Sequence, residues 1–418
     1  MNFGLIGKDR RSNLKQLRIV VVGTLASMPY AGMAWMHTQI AAGLQRLGHD
    51  VYYMEVTSVW PYDPIRNAKV PDSNYAVPYL ARVASDFGLE GRWAYRRSYS
   101  DNEWFGMSKQ KAEDLLAHAD LVLNVAGATQ IRTTQGLKVG RLVYYGTDPV
   151  YDEIGFANGD DFVRSTIDQH DDFVSYGENI GNADCLIPPL PRLRCRTRQP
   201  VLLDLWKDGP PARREFTTVC NWKQGGHDIQ YLGETYYWSK DREFMKFIEV
   251  PRLVDVPIEL SMGLVNVNVT TPGYRDRIPA LGMTDQELDL LISNGWKLND
   301  AHAFTTDPWS YRAYVMASRG EFSVARDQNV RLRSGWFSER SACYLAAGRP
   351  VVTQDSGFGT VLPTGEGLFA FNTVGEIVAA FEAINSDYDR HSRAARAIAE
   401  EYFRAETVMA KVIEDLLA

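Results

Sequence analysis

The residues best suited to chemistry lie in one stretch, Ser334 to Gly357, which reads SGWFSERSACYLAAGRPVVTQDSG. Gly335 opens a tight turn, and Ser338 stands where a helix N-cap is wanted, its hydroxyl able to accept from an otherwise unpaired amide. Glu339 to Ala347 are good helix formers, Gly348 suits a left-handed C′ position, and Pro350 follows it. Val351 and Val352 then begin a short apolar strand that ends at Asp355, Ser356 and Gly357. A helix N-terminus offers unpaired amides and a positive dipole end, which suit a phosphate. Polar residues at the end of a parallel strand suit a ligand in the crevice beyond it. The stretch thus has the parts to hold a phosphorylated ligand from two sides. The amides of Gly335, Trp336, Phe337 and Ser338 lie on one side, after the donor-side candidate Ser334, and Asp355 to Gly357 on the other, with Arg333 and Arg319 nearby to neutralise a diphosphate. An ordinary helix–strand unit of an α/β domain would look much the same.

A second set of candidates lies near the start of the chain. His37 falls in the first turn of an expected helix, where the dipole disfavours the imidazolium. A neutral imidazole facing a crevice serves as a general base, whereas one facing inward simply packs. Asp148 is the substitute base. Tyr30 and Gly32 precede the His37 helix, and Asn124, Gly127 and Thr147 close apolar runs, positions that suit the acceptor side of a site. In the second half, Asn221 and Lys223 follow another apolar run and suit a donor or nucleotide.

These residues need a scaffold, and the apolar runs supply one. Leu17 to Val22 reads as a buried parallel strand, Ala34 to Leu47 as a helix stopped by Gly48, and Val51 to Val56 as a second strand. Together they make a βαβ unit. The GxGxxG fingerprint of dinucleotide sites is absent after Val22, which argues against a nicotinamide there. Further strands are expected at Leu121–Val125, Leu142–Tyr145, Phe216–Cys220, Gly320–Ala325 and Leu368–Phe371. Helices are expected at Lys109–Ala119, Gln286–Ser293 and Val374–Ile384. The last helix, Ser392 to Leu417, carries a break near Phe403. Cys185 to Pro211 holds six prolines and the basic cluster Arg192, Arg194, Arg196 and Arg198, the composition of a linker. It divides the chain into residues 1–200, 201–400 and a final helix over 401–418. Asp160, Asp161, Asp171 and Asp172 read as solvated loop carboxylates.

Composition narrows the class. At 418 residues the chain exceeds one core, so two domains of about 200 residues each are expected. A net charge of −7 argues against a general binder of nucleic acid or anionic membranes. The four cysteines show no metal spacing, and buried thiols in a reducing cytoplasm account for them. No apolar run approaches the ~18 residues of a membrane span. The first sixteen residues lack the apolar core of a signal peptide and read as a frayed leader.

AGMAWMHTQIAAGLQRLGHDVYY, Ala31 to Tyr53, resembles the N-terminal segment of GT-B glycosyltransferases, with its glycine-bearing loop, helix and "-LxxxGHxV-" turn. GWFSERSACYLAAGRPVVTQDSG resembles their donor-binding segment, and GEGLFAFNTVGEIVAAFEAI the element after it. The order of the blocks is right and they span most of the chain. The resemblance implies an α/β protein of two Rossmann-like domains facing a central cleft. It implies a UDP- or dTDP-linked sugar in the second domain, a small-molecule or glycan acceptor in the first, no metal and no further cofactor. By that resemblance the amides from Gly335 to Ser338, with Arg319 and Arg333, hold the leaving diphosphate. Asp355 to Gly357 contact the sugar, and His37 deprotonates the acceptor. The final helix crosses back to the first domain. In the retaining branch of the family two Glu residues occupy the positions of Gly335 and Cys343. Glu339 and Ser341 stand in as candidates for ribose recognition. A scaffold epimerase or phosphorylase, or a non-catalytic nucleotide-sugar binder, would share these features.

Overall fold

A computed structural model describes residues 15–206, 209–263 and 283–418. Most of the expected leader lies outside them. The strands of the first half are β1 (Arg18–Val22), β2 (Asp50–Thr57), a small hairpin of β3 (Tyr62–Asp63) and β4 (Ala68–Lys69), β5 (Trp93–Arg97), β6 (Trp104–Gly106), β7 (Leu121–Val125), β8 (Leu142–Gly146), β9 (Asp172–Ser175) and β10 (Leu193–Arg196). Eight of them form one sheet in the order β10-β9-β8-β7-β1-β2-β5-β6, and only β5 and β6 pair antiparallel within it. Ile19 to Val22 and Leu121 to Val125 are buried on both faces, which is why these strands read as continuous apolar runs. The order turns at β1, between β2 and β7, and opens a crevice beyond the carboxyl end of that strand.

The second half holds β11 (Phe216–Val219), a hairpin of β12 (Ile229–Tyr231) and β13 (Glu234–Tyr236), β14 (Ile258–Met262), β15 (Lys297–Asp300), β16 (Gly320–Ser323), β17 (Val351–Gln354) and β18 (Leu368–Phe371). Six of them form a wholly parallel sheet, β15-β14-β11-β16-β17-β18, whose order turns at β11. The helix Glu339–Ala346 connects β16 to β17, and the helix Ala31–Arg46 connects β1 to β2.

The chain ends in two helices, Tyr388–Tyr402 and Ala405–Leu417, split at Phe403. The split is tied down by the linker: the Val201 amide donates to the Phe403 carbonyl at 2.7 Å, and the Ala405 amide to Val201 at 3.0 Å. Beyond it the last helix lies on the first helix at Gly43. A side chain there would press on Met409 and Ala405.

Two expectations change. The basic cluster is not linker: Leu193–Arg196 is an edge strand, Arg194 pairs with Asp172 at 2.7 Å, and Arg198 with Glu178 at 2.6 Å. Asp172 is accordingly buried, held by Arg194 and Arg141 and pushed below its ordinary value by those partners against the cost of its burial. Asp160 accepts from the Val163 amide as a helix cap.

Candidate functional site

The carboxyl edges of the two sheets meet. β8 leads into Thr147 and Asp148 in the first domain, and β16 leads into Val324 and Arg326 in the second. Trp336 spans the gap, its indole donating to the Thr147 carbonyl at 3.0 Å. The Arg326 guanidinium pairs with Asp148 at 2.5 Å and lies 3.3 Å over the ring of Trp238. Lys240 reaches the same place from the residue before the helix Asp241–Lys246, and its Nζ donates to the Val324 carbonyl at 2.9 Å. Lys240 and Arg326 each lie 5.9 Å from the centre of the Trp336 ring. Arg340, in the first turn of the Glu339–Ala346 helix, reaches Glu321 and the Val219 carbonyl at 2.5 Å each. It therefore marks the carboxyl end of β11 as well.

Three cations thus converge on one edge of the sheet. Arg326 has Asp148 as counter-ion and Arg340 has Glu321. Lys240 is buried and, among the described residues, has no carboxylate partner. Burial first, then the Arg340 and Arg326 charges, bring its ammonium down to about 7. A buried ammonium beside two guanidiniums lacks an anion. The Glu339–Ala346 helix points its N-terminus here, and no side chain caps it.

The residues singled out from the sequence fall into three groups. Thr147, Asp148 and Trp336 lie in this gap. Arg333, Ser334, Gly335, Phe337, Asp355, Ser356 and Gly357 form the wall beside it, but they spend their polar groups on one another and on the first domain. The Gly335 amide donates to the Ser356 carbonyl at 2.8 Å, the Gly357 amide to Asp355 at 2.8 Å, and the Ser356 hydroxyl to the Trp336 carbonyl. Arg333 pairs with Asp184 at 2.7 Å and Asp355 at 3.3 Å, while Asn179 of the first domain bonds the Ser334 and Arg333 carbonyls. Gln199 donates to the Phe337 carbonyl. This wall is a latch between the domains.

The third group lies elsewhere. Arg319 precedes β16, at the amino end of the strand, where it stacks 4.2 Å over Tyr388 and bonds Asn385 at 3.3 Å. The strand's length separates it from the cleft. Asn221 is exposed and Lys223 is spent on Glu287 at 2.8 Å. Asn124 is buried, donating to the Thr129 carbonyl at 2.9 Å, and Gly127 turns with φ +60° against Tyr144. Ser341 is buried, and among the described residues its hydroxyl has no partner. Ser338 occupies the N-cap position with extended backbone, yet its hydroxyl makes no capping bond. Ser338→Ala is therefore expected to change stability by less than about 0.5 kcal/mol, read by chemical denaturation, against the ~1 kcal/mol of a working cap.

His37 is fully buried. Its Nδ1 donates to the Met33 carbonyl at 2.7 Å, and its Nε2 accepts from the Thr24 amide at 3.4 Å. The ring packs on Gly23 and edge-on to Tyr53. Burial brings the imidazole down to about 4, so it is neutral, but no ring nitrogen is left for an acceptor. The helix start is where the sequence placed it, and the ring faces inward. Glu339 takes the Gln39 amide at 2.8 Å and lies 3.4 Å from the Cys343 thiol, which donates to it. Loss of water contact brings that half-buried carboxyl up to about 7. The carboxylate thus bonds a first-domain side chain from one turn before Cys343.

Sequence reasoning missed Lys240, Arg326 and Trp238. Arg326 was legible from strand direction. Lys240 lies beyond the β12–β13 hairpin, and the only local mark was the aromatic run before it, Tyr236 to Trp238.

Neither a protein-family model nor a curated protein matches the chain. Solved structures do. An alpha-glucosyltransferase in complex with UDP and a 13-mer DNA containing a central A:G mismatch matches with a TM-score of 0.55 and 12% identity, over 97% of this chain and 100% of its own. HepE from Anabaena, in complex with UDP-glucose, gives 0.53 and 11%, over 96% and 99%. The sucrose-phosphate synthase of Thermosynechococcus elongatus gives 0.50 and 10%, over 96% and 98%. At such identities the likeness is one of fold, and the chain has the GT-B fold, two Rossmann-like domains whose sheets face one cleft.

Proposed function

We propose that the protein is a glycosyltransferase that moves a sugar from a UDP- or dTDP-linked donor to a hydroxyl of a small-molecule or glycan acceptor, without a metal. The observation that carries this reading is the buried Lys240 beside Arg326 and Arg340, a cation without a carboxylate partner among the described residues, at the carboxyl end of the second sheet. The donor's diphosphate is its anion. As the acceptor oxygen bonds the anomeric carbon and its hydroxyl proton passes to solvent, the bond from that carbon to the β-phosphate oxygen breaks and the nucleoside diphosphate leaves with added charge. Lys240 Nζ, with two N–H bonds unspent, Arg326 and the uncapped helix N-terminus hold that charge. Trp336 and Trp238 wall the site. Asp148 competes with the diphosphate for Arg326. Asp148→Asn is expected to tighten UDP about three- to tenfold by calorimetry, whereas a base role predicts unchanged affinity and a lost rate.

The reading is tested by calorimetric titration with UDP, dTDP and GDP, followed by mass spectrometry of a nucleotide-sugar panel in the presence of a chelator. Binding of a pyrimidine diphosphate and sugar transfer to an acceptor are expected. Release of free sugar or sugar phosphate with no need of an acceptor would overturn transfer.

Lys240 also fixes the pH dependence. Its ammonium titrates near 7 in the empty site, and a bound diphosphate favours the protonated form. Below that value binding needs no proton; above it each donor bound takes one up. Affinity for a UDP-sugar, whose diphosphate keeps one charge state here, is expected to fall about thirtyfold from about pH 6 to pH 8.5. Calorimetry in buffers of different ionisation enthalpy reads the proton uptake directly.

A further inference from the structure

We propose that the acceptor carries an apolar or aromatic group that lies across Tyr30 and Tyr62 at the mouth of the cleft. The proposal rests on the glycosyl-transfer reading and adds the acceptor's chemical class to it. Among the described residues, four large apolar side chains stand out to water from two neighbouring loops: Met28 after β1 at 47%, and Val59, Trp60 and Ile65 after β2 at 55%, 49% and 83%. Both loops follow carboxyl ends of strands of the first sheet, the edge that faces the cleft.

The exposure is held by a frame of hydrogen bonds. The Tyr62 amide donates to the Ser27 carbonyl at 2.9 Å and joins the loops. The amides of Ala26 and Ser27 donate to the buried Glu55 at 2.7 Å each. Buried Asp63 accepts from the Ile65 and Arg66 amides at 2.9 and 3.1 Å, and the Val70 amide donates to the Pro61 carbonyl. A frame that presents apolar side chains to water marks a binding surface.

That surface continues into the cleft. The rings of Tyr30 and Tyr62 are stacked, 5.3 Å apart and 23° from parallel, and both are half-buried. Tyr30 sits at the start of the first helix, two residues before Gly32, around which the space is open. His302 of the second domain lies 6.2 Å from the Tyr30 ring, tilted 57° to it. A ligand on the two phenol rings therefore has the second domain's His302 near Tyr30 and, flanking Tyr62 in its own loop, the exposed Trp60 and Ile65. Flat or aliphatic surface suits such a platform.

An anionic membrane surface fits poorly. The loop carries two acids, Asp63 and Asp72, and two bases, Arg66 and Lys69, with Arg66 paired to both acids. With a net charge of −7 on the chain, the patch has no basic field to hold anionic headgroups.

The test uses methyl, octyl and para-nitrophenyl glucosides, below the micelle concentration of the octyl compound, titrated into the whole protein with and without UDP. Calorimetry and Trp fluorescence read binding. The octyl and para-nitrophenyl glucosides are expected to bind at least about tenfold tighter than the methyl glucoside. Tyr62→Ala and Trp60→Ser should each bring that preference to within about twofold and leave UDP affinity unchanged. Trp60→Ser alters an exposed side chain, so it keeps the test valid if Tyr62→Ala fails to fold. Equal binding of the three glucosides, or a preference that survives both variants, overturns the proposal. So does sedimentation with phosphatidylcholine vesicles that depends on Trp60, which would assign the patch to a membrane. A platform preference in a protein that binds no nucleoside diphosphate would leave the platform standing and remove the glycosyl-transfer reading.

Discussion

Lys240→Ala lowers kcat/KM for the sugar donor by about 10²- to 10³-fold, the scale of losing one positioned charge on a leaving group. Among the described residues Nζ has one carbonyl partner, no carboxylate partner, and two guanidiniums for neighbours. Such a side chain costs stability in the empty protein and gains its anion only with the ligand. The variant should therefore be at least as stable as the parent while losing the donor. A merely structural lysine would show the reverse, with lower stability and unchanged UDP affinity. Thermal denaturation with and without UDP separates the two, because the ligand-induced shift follows affinity.

Gly335→Ala is the second large effect, expected to cost more than about 2 kcal/mol of stability and to weaken UDP binding with it. Gly335 has φ +77°, a left-handed conformation that a Cβ disfavours. A Cβ there would also collide with the backbone amide of Asn179, and the Asn179 amide donates to the Ser334 carbonyl at 3.2 Å. Neither backbone can yield without parting the domains at the latch. Gly32→Ala serves as control: its surroundings are open within 4 Å, it lies in the first helix, and its stability should move by less than about 0.5 kcal/mol. Equal effects of the two substitutions, measured by denaturant titration, would show that the latch does not join the domains.

These expectations show which parts of the molecule could be read from its residues. The strand over Arg18–Val22 and the helix over Glu339–Ala346 are written in local patterns, an apolar run and a block of helix formers between a turn and a glycine. So is the break at Phe403. The direction a side chain takes is written less clearly. His37 sits in the first turn of its helix as expected, yet an imidazole fits either face, and here the smallness of Gly23 lets the ring pack inward. Ser338 has the cap position without the cap bond. Arg319 and Arg326 bracket one strand, and only the arginine at the carboxyl end can meet a ligand in a parallel sheet. Lys240 depends on a contact 84 residues away, with Val324, and no local pattern carries such a contact.

A crystal structure of the protein with UDP tests the donor site directly. The expected result is phosphate oxygens within hydrogen-bond reach of Lys240 Nζ and the Arg326 guanidinium, beside the Trp336 ring, with the Asp148–Arg326 pair loosened. UDP bound away from that edge of the second sheet, for instance in the hollow lined by Arg18, Tyr52 and Lys111 at the opposite end of the first sheet, would contradict it.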